Sequence, residues 1–440
     1  MKRIFIAICA LGLVAALISP ALAEVQNIKV GGSIDIRGFS RKNYTTANAG
    51  GSRAFTAALF SEQDGRDWYN MITKVGIEAD LTDNVIASMI LCNEQDINTG
   101  ASTNNVQIYE SALTLKELLY SPLTVKVGKM PIQVADGLVI GNGVLTNTNG
   151  VIAGDYQADN SFFTVHGILD YDPLTLLIGT AKLMDQTQAA NDDIDVYLID
   201  AIYKMEDRNA VLDTYLTSAH YSTPGGTSTG TGPSNASTAA LDVYVLAATL
   251  NFEPLEKLAA KVGVGYQFGD YQKQIAAGGV NRDLKATAFD LALNYAFEKE
   301  YSPKVGLKYV YRSGEDTVGT TTGDYKGWLG LYESQKNGLI YDPNTNTNSF
   351  ALSGSLMPLD RLSVALDIWF YQLAKKQTAV AGSTSDKRDA GNEIDLILKY
   401  AYTEDVTMGF SIGWFSPGDF YVGGMDKAAS QVMAEVGVKF

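Results

Sequence analysis

Residues 284–298 read LKATAFDLALNYAFE, and this stretch decides the class of fold. From Phe289 to Phe297 every second residue is large and apolar, while the residues between them, such as Asp290 and Asn294, are small or polar. Successive side chains of a β-strand point to opposite faces. This period of two therefore predicts a strand with one apolar and one polar face.

The same alternation recurs along the whole chain, for example at 258–270 and 361–373. A strand of about nine to eleven tilted residues crosses a bilayer, and most of the alternating segments reach that length. The pattern predicts eighteen strands, at 26–38, 68–80, 85–94, 106–117, 122–130, 161–170, 173–184, 193–204, 210–221, 239–251, 258–270, 284–298, 303–313, 346–358, 361–373, 390–402, 405–416 and 428–440.

The connections between these segments alternate in length. Short turns such as Thr82-Asp83-Asn84 are followed by longer polar stretches, of which the longest are 39–67, 131–160, 222–238 and 314–345. Outer-membrane barrels have short periplasmic turns and long extracellular loops, whereas a soluble sandwich has no reason to sort its loops. The sequence therefore predicts an all-β fold, a transmembrane up-and-down antiparallel β-barrel of about eighteen strands.

Both ends of the chain fit this prediction. Lys2 and Arg3 precede an apolar run that ends in Ala21-Leu22-Ala23, which predicts a signal peptide at 1–23 and a barrel at 24–440. The last strand finishes on an aromatic residue, Phe440, after alternating apolar positions. We expect Phe440 to act as an assembly signal for the barrel assembly machinery.

Composition excludes several other classes of protein. A formal net charge of −15 without a basic block argues against nucleic-acid binding. Two cysteines exclude a disulfide scaffold and a Cys-rich zinc module. The two histidines, His166 and His220, lie in no recognisable catalytic motif. We therefore expect no enzyme and no cofactor.

The segment Gly391–Phe420 resembles the C-terminal strand pair of the alginate-export family of outer-membrane barrels. It has a Glu-x-Asp, Glu393 and Asp395, and a later Pro417-Gly418-Asp419. Residues 125–137 resemble a second family stretch, with Lys129-Met130 in place of Arg-Gln. The resemblance implies an eighteen-stranded barrel and export of an anionic uronate polymer through a cation-rich lumen.

The lumen-facing charges are the candidate selectivity residues. Lys304, Lys308 and Arg312 lie four residues apart on one predicted strand and share its polar face. The neighbouring strands add Arg361, Asp367, Glu393 and Asp395. Either these cations guide an anionic solute past facing carboxylates, or they are lumen charges that merely pair with their neighbours.

Two loops raise further hypotheses. Loop 131–160 is rich in apolar residues and glycine, so it folds inward to narrow the pore or packs on the rim or a partner subunit. Asp342, Asn344, Asn346 and Asn348 have the spacing of a calcium loop, although Thr347 stands where glycine is expected, and a solvated loop is the alternative.

These features predict a passive channel in the lipid of a Gram-negative outer membrane. It would pass hydrophilic solutes or an exported polysaccharide through a charged lumen. A non-conducting barrel that acts as an adhesin or a structural surface protein is the alternative.

Overall fold

The structure, a computed structural model, describes residues 27–43, 65–96, 106–119, 122–141, 161–184, 194–221, 239–274, 281–315, 322–331, 333–376, 387–422 and 426–440. The predicted signal peptide lies outside these ranges and remains a prediction. Within them, none of the helical structure is long and apolar enough to cross a membrane.

Eighteen strands form one antiparallel sheet in which each strand pairs with its neighbours in the chain. The strands are β1 Asn27–Lys42, β2 Arg66–Thr82, β3 Val85–Asp96, β4 Val106–Leu115, β5 Leu123–Met130, β6 Phe162–Asp170, β7 Leu174–Met184, β8 Ile194–Met205, β9 Ala210–Tyr221, β10 Ala239–Leu255, β11 Leu258–Gln274, β12 Arg282–Ala296, β13 Lys304–Arg312, β14 Thr347–Leu359, β15 Leu362–Gln372, β16 Asp389–Ala401, β17 Val406–Pro417 and β18 Ala429–Lys439. A single 3-10 turn, Glu206–Arg208, joins β8 to β9.

The first and last strands close the sheet into a barrel. On one side β1 pairs with β2, with Lys29 opposite Glu78. On its other side β1 pairs with β18, with Ser33 opposite Lys439. The predicted eighteen-stranded up-and-down barrel is confirmed. Short turns alternate with long connections as predicted, and below we call the two ends the short-turn end and the long-loop end.

Several strands are longer than the alternating pattern predicted. Strands β2, β10 and β11 each have 17 residues. At the other extreme, Arg361 lies in the turn before β15 rather than on the strand. Its guanidinium donates a hydrogen bond to the backbone oxygen of Tyr402 at 3.0 Å. Arg361 therefore lies one residue outside the strand to which the pattern assigned it, because the hairpin turns one residue later than the pattern suggested, and its place in the lumen stays a prediction.

The two faces of the barrel wall are those that the alternation predicted. On β11, Gly265 and Gln267 are buried, while Val264 and Tyr266, which alternate with them, are 45% and 43% exposed. In a closed barrel the exposed apolar face meets lipid and the other face lines the lumen. Leu291 on β12 shares the lipid face, and Asp290 beside it is buried in the lumen.

A hydrophobic core fills part of this lumen. It combines lumen-facing side chains of β8, β10 and β12, such as Val196, Val245 and Ala288, with residues of two connections. Those residues are Val134, Leu138, Val139 and Ile140 after β5, and Trp328, Leu329 and Leu331 after β13. Two connections therefore fold into the barrel and pack against its inner wall.

Candidate functional site

The candidate site is the lumen where these two connections meet. We call residues 131–141 the first inner segment and residues 322–346, without 332, the second inner segment. The backbone N–H of Ser334 donates to the carbonyl oxygen of Gly137 at 3.0 Å, which joins the two segments. A side chain at Gly137 would overlap Ser334, so the glycine permits this approach. The inward folding predicted for loop 131–160 is confirmed for 131–141, and 142–160 lie outside the described residues.

The second inner segment was not predicted to fold inward. It lies in the connection 314–345, which we interpreted only as a long polar loop. The signal that identified the first segment was apolar residues within a connection. The second segment carries the same signal in Trp328, Leu331 and Ile340. The lumen wall accommodates it with a small residue, because a side chain at Gly265 would collide with the Trp328 ring.

A polar network holds the two segments to the wall and to each other. Asp136 of the first segment forms an ion pair with Lys261 on β11. The same carboxylate accepts a hydrogen bond from the Gln335 amide at 2.7 Å. Gln335 in turn accepts one from the Arg312 guanidinium at 2.8 Å. The network therefore links strands β11 and β13 through both inner segments.

Arg312 is the member of the predicted cation series nearest the long-loop end of β13, and it is buried. Its guanidinium donates to both carboxylate oxygens of Asp290 on the preceding strand, at 2.6 and 3.1 Å. Only 2% of the residue is exposed. Of the two interpretations that the sequence left open, Arg312 fits the second, a lumen charge that pairs with a neighbouring strand. We assign Arg312 to packing of the inner segments.

The other two cations of the series are in different surroundings. The Lys308 amine donates to Asn337 Oδ1 at 3.0 Å and lies 5.2 Å from the centre of the Trp369 ring. Lys304 lies four residues closer to the short-turn end and is exposed. Lys304 shares the Lys308 face of β13, which is the lumen face of the closed barrel. Its side chain is therefore exposed on the lumen side of the wall, at the short-turn end.

The predicted carboxylates on β16 anchor the second inner segment. Glu393 accepts backbone hydrogen bonds from Ile340 at 2.7 Å and Tyr341 at 2.9 Å. Asp395 accepts one from Leu339 at 3.2 Å. Both carboxylates are almost fully buried. The Glu-x-Asp that carried the family resemblance thus holds three successive backbone N–H groups.

Asp367 lies in the middle of β15. It is half-buried on the lumen face, directly across the ladder from Ser353. Electrostatic interaction couples it to Lys308. Lys304 is exposed, and Lys308 and Asp367 are half-buried on the lumen face, so these three remain the candidate selectivity residues, and their role in selectivity is a proposal.

Three of the four residues with the spacing of a calcium loop lie in the second inner segment, where they are bound or buried. The Asp342 carboxylate accepts a hydrogen bond from the Asn337 backbone at 2.9 Å. The Asn346 side chain binds the backbone of Lys375, accepting at 2.7 Å and donating at 3.1 Å. Asn344 is also buried. Asp342, Asn344 and Asn346 are therefore engaged within a packed segment rather than solvated, Asn348 belongs to β14, and the calcium hypothesis stays a prediction.

The two histidines have separate structural surroundings. His166 is buried on the lumen wall, 3.3 Å from the Thr164 hydroxyl. It borders a small, largely apolar cavity that Ile132, Phe162 and Leu198 also line. His220 lies 3.0 Å from Asp242, with the rings of Tyr197 and Tyr244 on either side.

A closed eighteen-stranded antiparallel barrel with a narrowed, charged lumen defines the class of outer-membrane channel proteins. Solved structures from Pseudomonas aeruginosa share the fold. OccK2 (OpdF) superposes with a TM-score of 0.60 at 12% identity, covering 94% of this chain and 98% of that one. OpdK, solved with vanillate, gives 0.57 at 12% identity and covers 94% and 99%. OccK11 (OpdR) gives 0.56 at 11% identity and covers 93% and 96%.

Sequence comparison identifies the family. The profile of the family described as "Alginate export" matches residues 212–435, slightly more than half of the chain. The chain belongs to this alginate export family, as the segment 391–420 had indicated. No curated protein sequence matches the chain. Family and fold together place the protein in the outer membrane of a Gram-negative bacterium, as a channel.

Proposed function

We propose that the chain is a passive channel that passes hydrophilic solutes, or an exported polysaccharide, with a preference for anionic cargo. The observation that carries this proposal is the position of Lys304 and Lys308. Both share the lumen face of β13 towards its short-turn end, and Lys308 binds the second inner segment through Asn337. A solute that passes this segment would therefore meet two cations in succession.

Electrostatics supports an anionic cargo despite the acidic chain. Four residues along a strand correspond to about 13 Å, so the two amines would act on successive positions of one solute. The low-dielectric wall of a channel focuses the field of the charges that line it. Arg312 does not contribute, because Asp290 neutralises it. The local lysines, rather than the net charge of −15, would set the selectivity.

An aromatic carboxylate is a second candidate cargo. The lumen wall next to His166 carries an apolar patch around a small cavity lined mostly by apolar side chains, which is unusual for a purely hydrophilic pathway. Lys126 on β5 pairs with His166 across the ladder and interacts with it electrostatically. An aromatic ring packed against this apolar patch would leave its carboxylate near this cation. OpdK was itself solved with vanillate.

Conductance in a planar bilayer tests the proposal. We expect discrete channel currents from the purified barrel, with concentration-dependent block by glucuronate, polyuronate or vanillate. Block by polyuronate from one side only would favour the polysaccharide, and block by vanillate alone would favour the aromatic acid. A correctly folded barrel that carries no current would contradict the proposal and favour the adhesin or structural alternative.

A further inference from the structure

Two carboxylates lie buried side by side on the lumen wall, away from the cation series. Asp200 on β8 is 3% exposed and Asp213 on β9 is 7% exposed. They are close enough for a hydrogen bond between their side chains. Both have a carboxylate oxygen that finds no hydrogen-bond partner in the described part of the chain. A buried pair of this kind is costly unless something compensates its charge.

The nearby cations already have other partners. Lys261 forms its ion pair with Asp136, and Arg312 forms its ion pair with Asp290. The connections that follow β5, β7 and β9 could supply a cation only if they contained one. Residues 142–160, 185–193 and 222–238 include neither lysine nor arginine. The sequence therefore offers no basic side chain from these connections to neutralise the pair.

Two hydroxyl groups complete the surroundings of the carboxylates. Tyr215 and Thr249 are each 1% exposed, and neither hydroxyl has a hydrogen-bond partner among the described residues. Register places Thr249 directly opposite Asp213 and Tyr215 directly opposite Asp200. Directly opposed residues on one face have Cβ atoms about 4.5–5.5 Å apart. Tyr215 also interacts electrostatically with Asp136 of the first inner segment, and less strongly with Asp213 and Asp200. Four oxygen-bearing side chains from three adjacent strands thus lie next to one another on the lumen wall.

We propose that Asp200, Asp213, Tyr215 and Thr249 form a binding site for a hard divalent cation of the Ca²⁺ class. Carboxylate and hydroxyl oxygens are hard donors, and Ca²⁺ takes six to eight oxygen ligands in flexible geometry. Nowhere in the described ranges do three His, Cys, Asp or Glu side chains converge with metal-ligand geometry. The site therefore depends on two carboxylates and on hydroxyls, with water completing the shell.

The position of the site gives the bound cation a role in the channel. The ladder runs from Asp213 through Thr249 and Gly263 to Asp290, the partner of Arg312. The site is therefore level with the buried network that holds the inner segments. A divalent cation there cancels two negative charges on the lumen wall. Loading the site should make the channel less favourable to cations and leave the inner segments in place.

Terbium luminescence tests the site with the full barrel in detergent. Tb³⁺ replaces Ca²⁺ at oxygen sites, and excitation of Tyr215 would sensitise its emission. We expect a saturable signal that Ca²⁺ displaces. Asp200→Asn/Asp213→Asn should weaken Tb³⁺ binding by about tenfold to a hundredfold. Glu78→Gln/Glu110→Gln is the matched control, because it removes two carboxylates on another part of the wall, and it should titrate like the wild type.

Heat-modifiable gel migration shows whether each variant is folded. If the double asparagine variant does not fold, Tb³⁺ titrations of Tyr215→Phe and Thr249→Val test the site instead. Each substitution removes one hydroxyl oxygen and should lower the affinity for Tb³⁺ or the sensitised emission. Absence of saturable binding in the wild type would overturn the proposal, as would equal titrations for the wild type and the site variants. The carboxyl pair would then share a proton instead.

Discussion

Strand β13 shows the difference between the two halves of the lumen. At its long-loop end Arg312 is 2% exposed and paired with Asp290, beneath two inner segments. At its short-turn end Lys304 is exposed on the same face of the same strand. Sequence periodicity treats these two cations as equivalent. Their surroundings differ because the described parts of two connections pack onto one end of the wall and not onto the other.

Breaking the buried ion pair of Arg312 and Asp290 should have the largest effect on the stability of the barrel. Arg312→Ala leaves the Asp290 carboxylate buried without its partner, which costs about 3–5 kcal/mol. Urea unfolding of the barrel in lipid vesicles measures the loss. Lys304→Ala, on the same strand face, is the matched control and should change the free energy of unfolding by less than about 1 kcal/mol. Equal losses for the two variants would show that the two ends of β13 do not differ.

The lipid and lumen faces of β12 give the next largest difference. Leu291→Arg places a cation on the lipid face and should cost about 2–4 kcal/mol of stability. Ala292→Arg points into the lumen, between Lys261 and Lys308 on the flanking strands. It should assemble and alter the conductance. If Ala292→Arg blocks assembly while Leu291→Arg does not, the register of β12 is off by one residue.

Releasing the second inner segment should have an intermediate effect. Glu393→Ala leaves the backbone N–H groups of Ile340 and Tyr341 without their acceptor, at about 1–3 kcal/mol for each buried group. We expect a larger and noisier single-channel current. Glu78→Ala removes an exposed lumen carboxylate at the short-turn end and serves as the control. An unchanged current in Glu393→Ala would mean that the segment does not restrict the pore.

The barrel could be predicted from sequence because its evidence is local. Alternation, turn residues and loop lengths are each contained within a few dozen residues. The interior could not be predicted in the same way, because its contacts join distant residues. Gln335 binds Asp136 across 199 residues, and Ile340 binds Glu393 across 53. Alternation placed Arg312 and Glu393 on the lumen face, but it carries no information about the segments they hold.

Deleting Phe440 should have the smallest effect on the folded barrel. Phe440 and Gly32 exchange two backbone hydrogen bonds at the β1–β18 seam, each contributing about 0.5–1.5 kcal/mol. If Phe440 is also the recognition signal that we propose, the amount of heat-modifiable barrel in the outer membrane should fall by more than this loss of stability explains. Unchanged amounts at native expression would leave Phe440 with a structural role only.

The reversal potential in a salt gradient tests the central claim most directly, namely that the open half of the lumen sets selectivity. Lys304→Gln/Lys308→Gln should shift the selectivity of the channel towards cations. The shift should be larger at low salt, where screening is weaker. Ser353→Gln, on the same lumen wall, is an uncharged control and should leave the reversal potential as it is in the wild type. An unchanged reversal potential in the double lysine variant at low salt would contradict the account, because these side chains would then not line the conducting path.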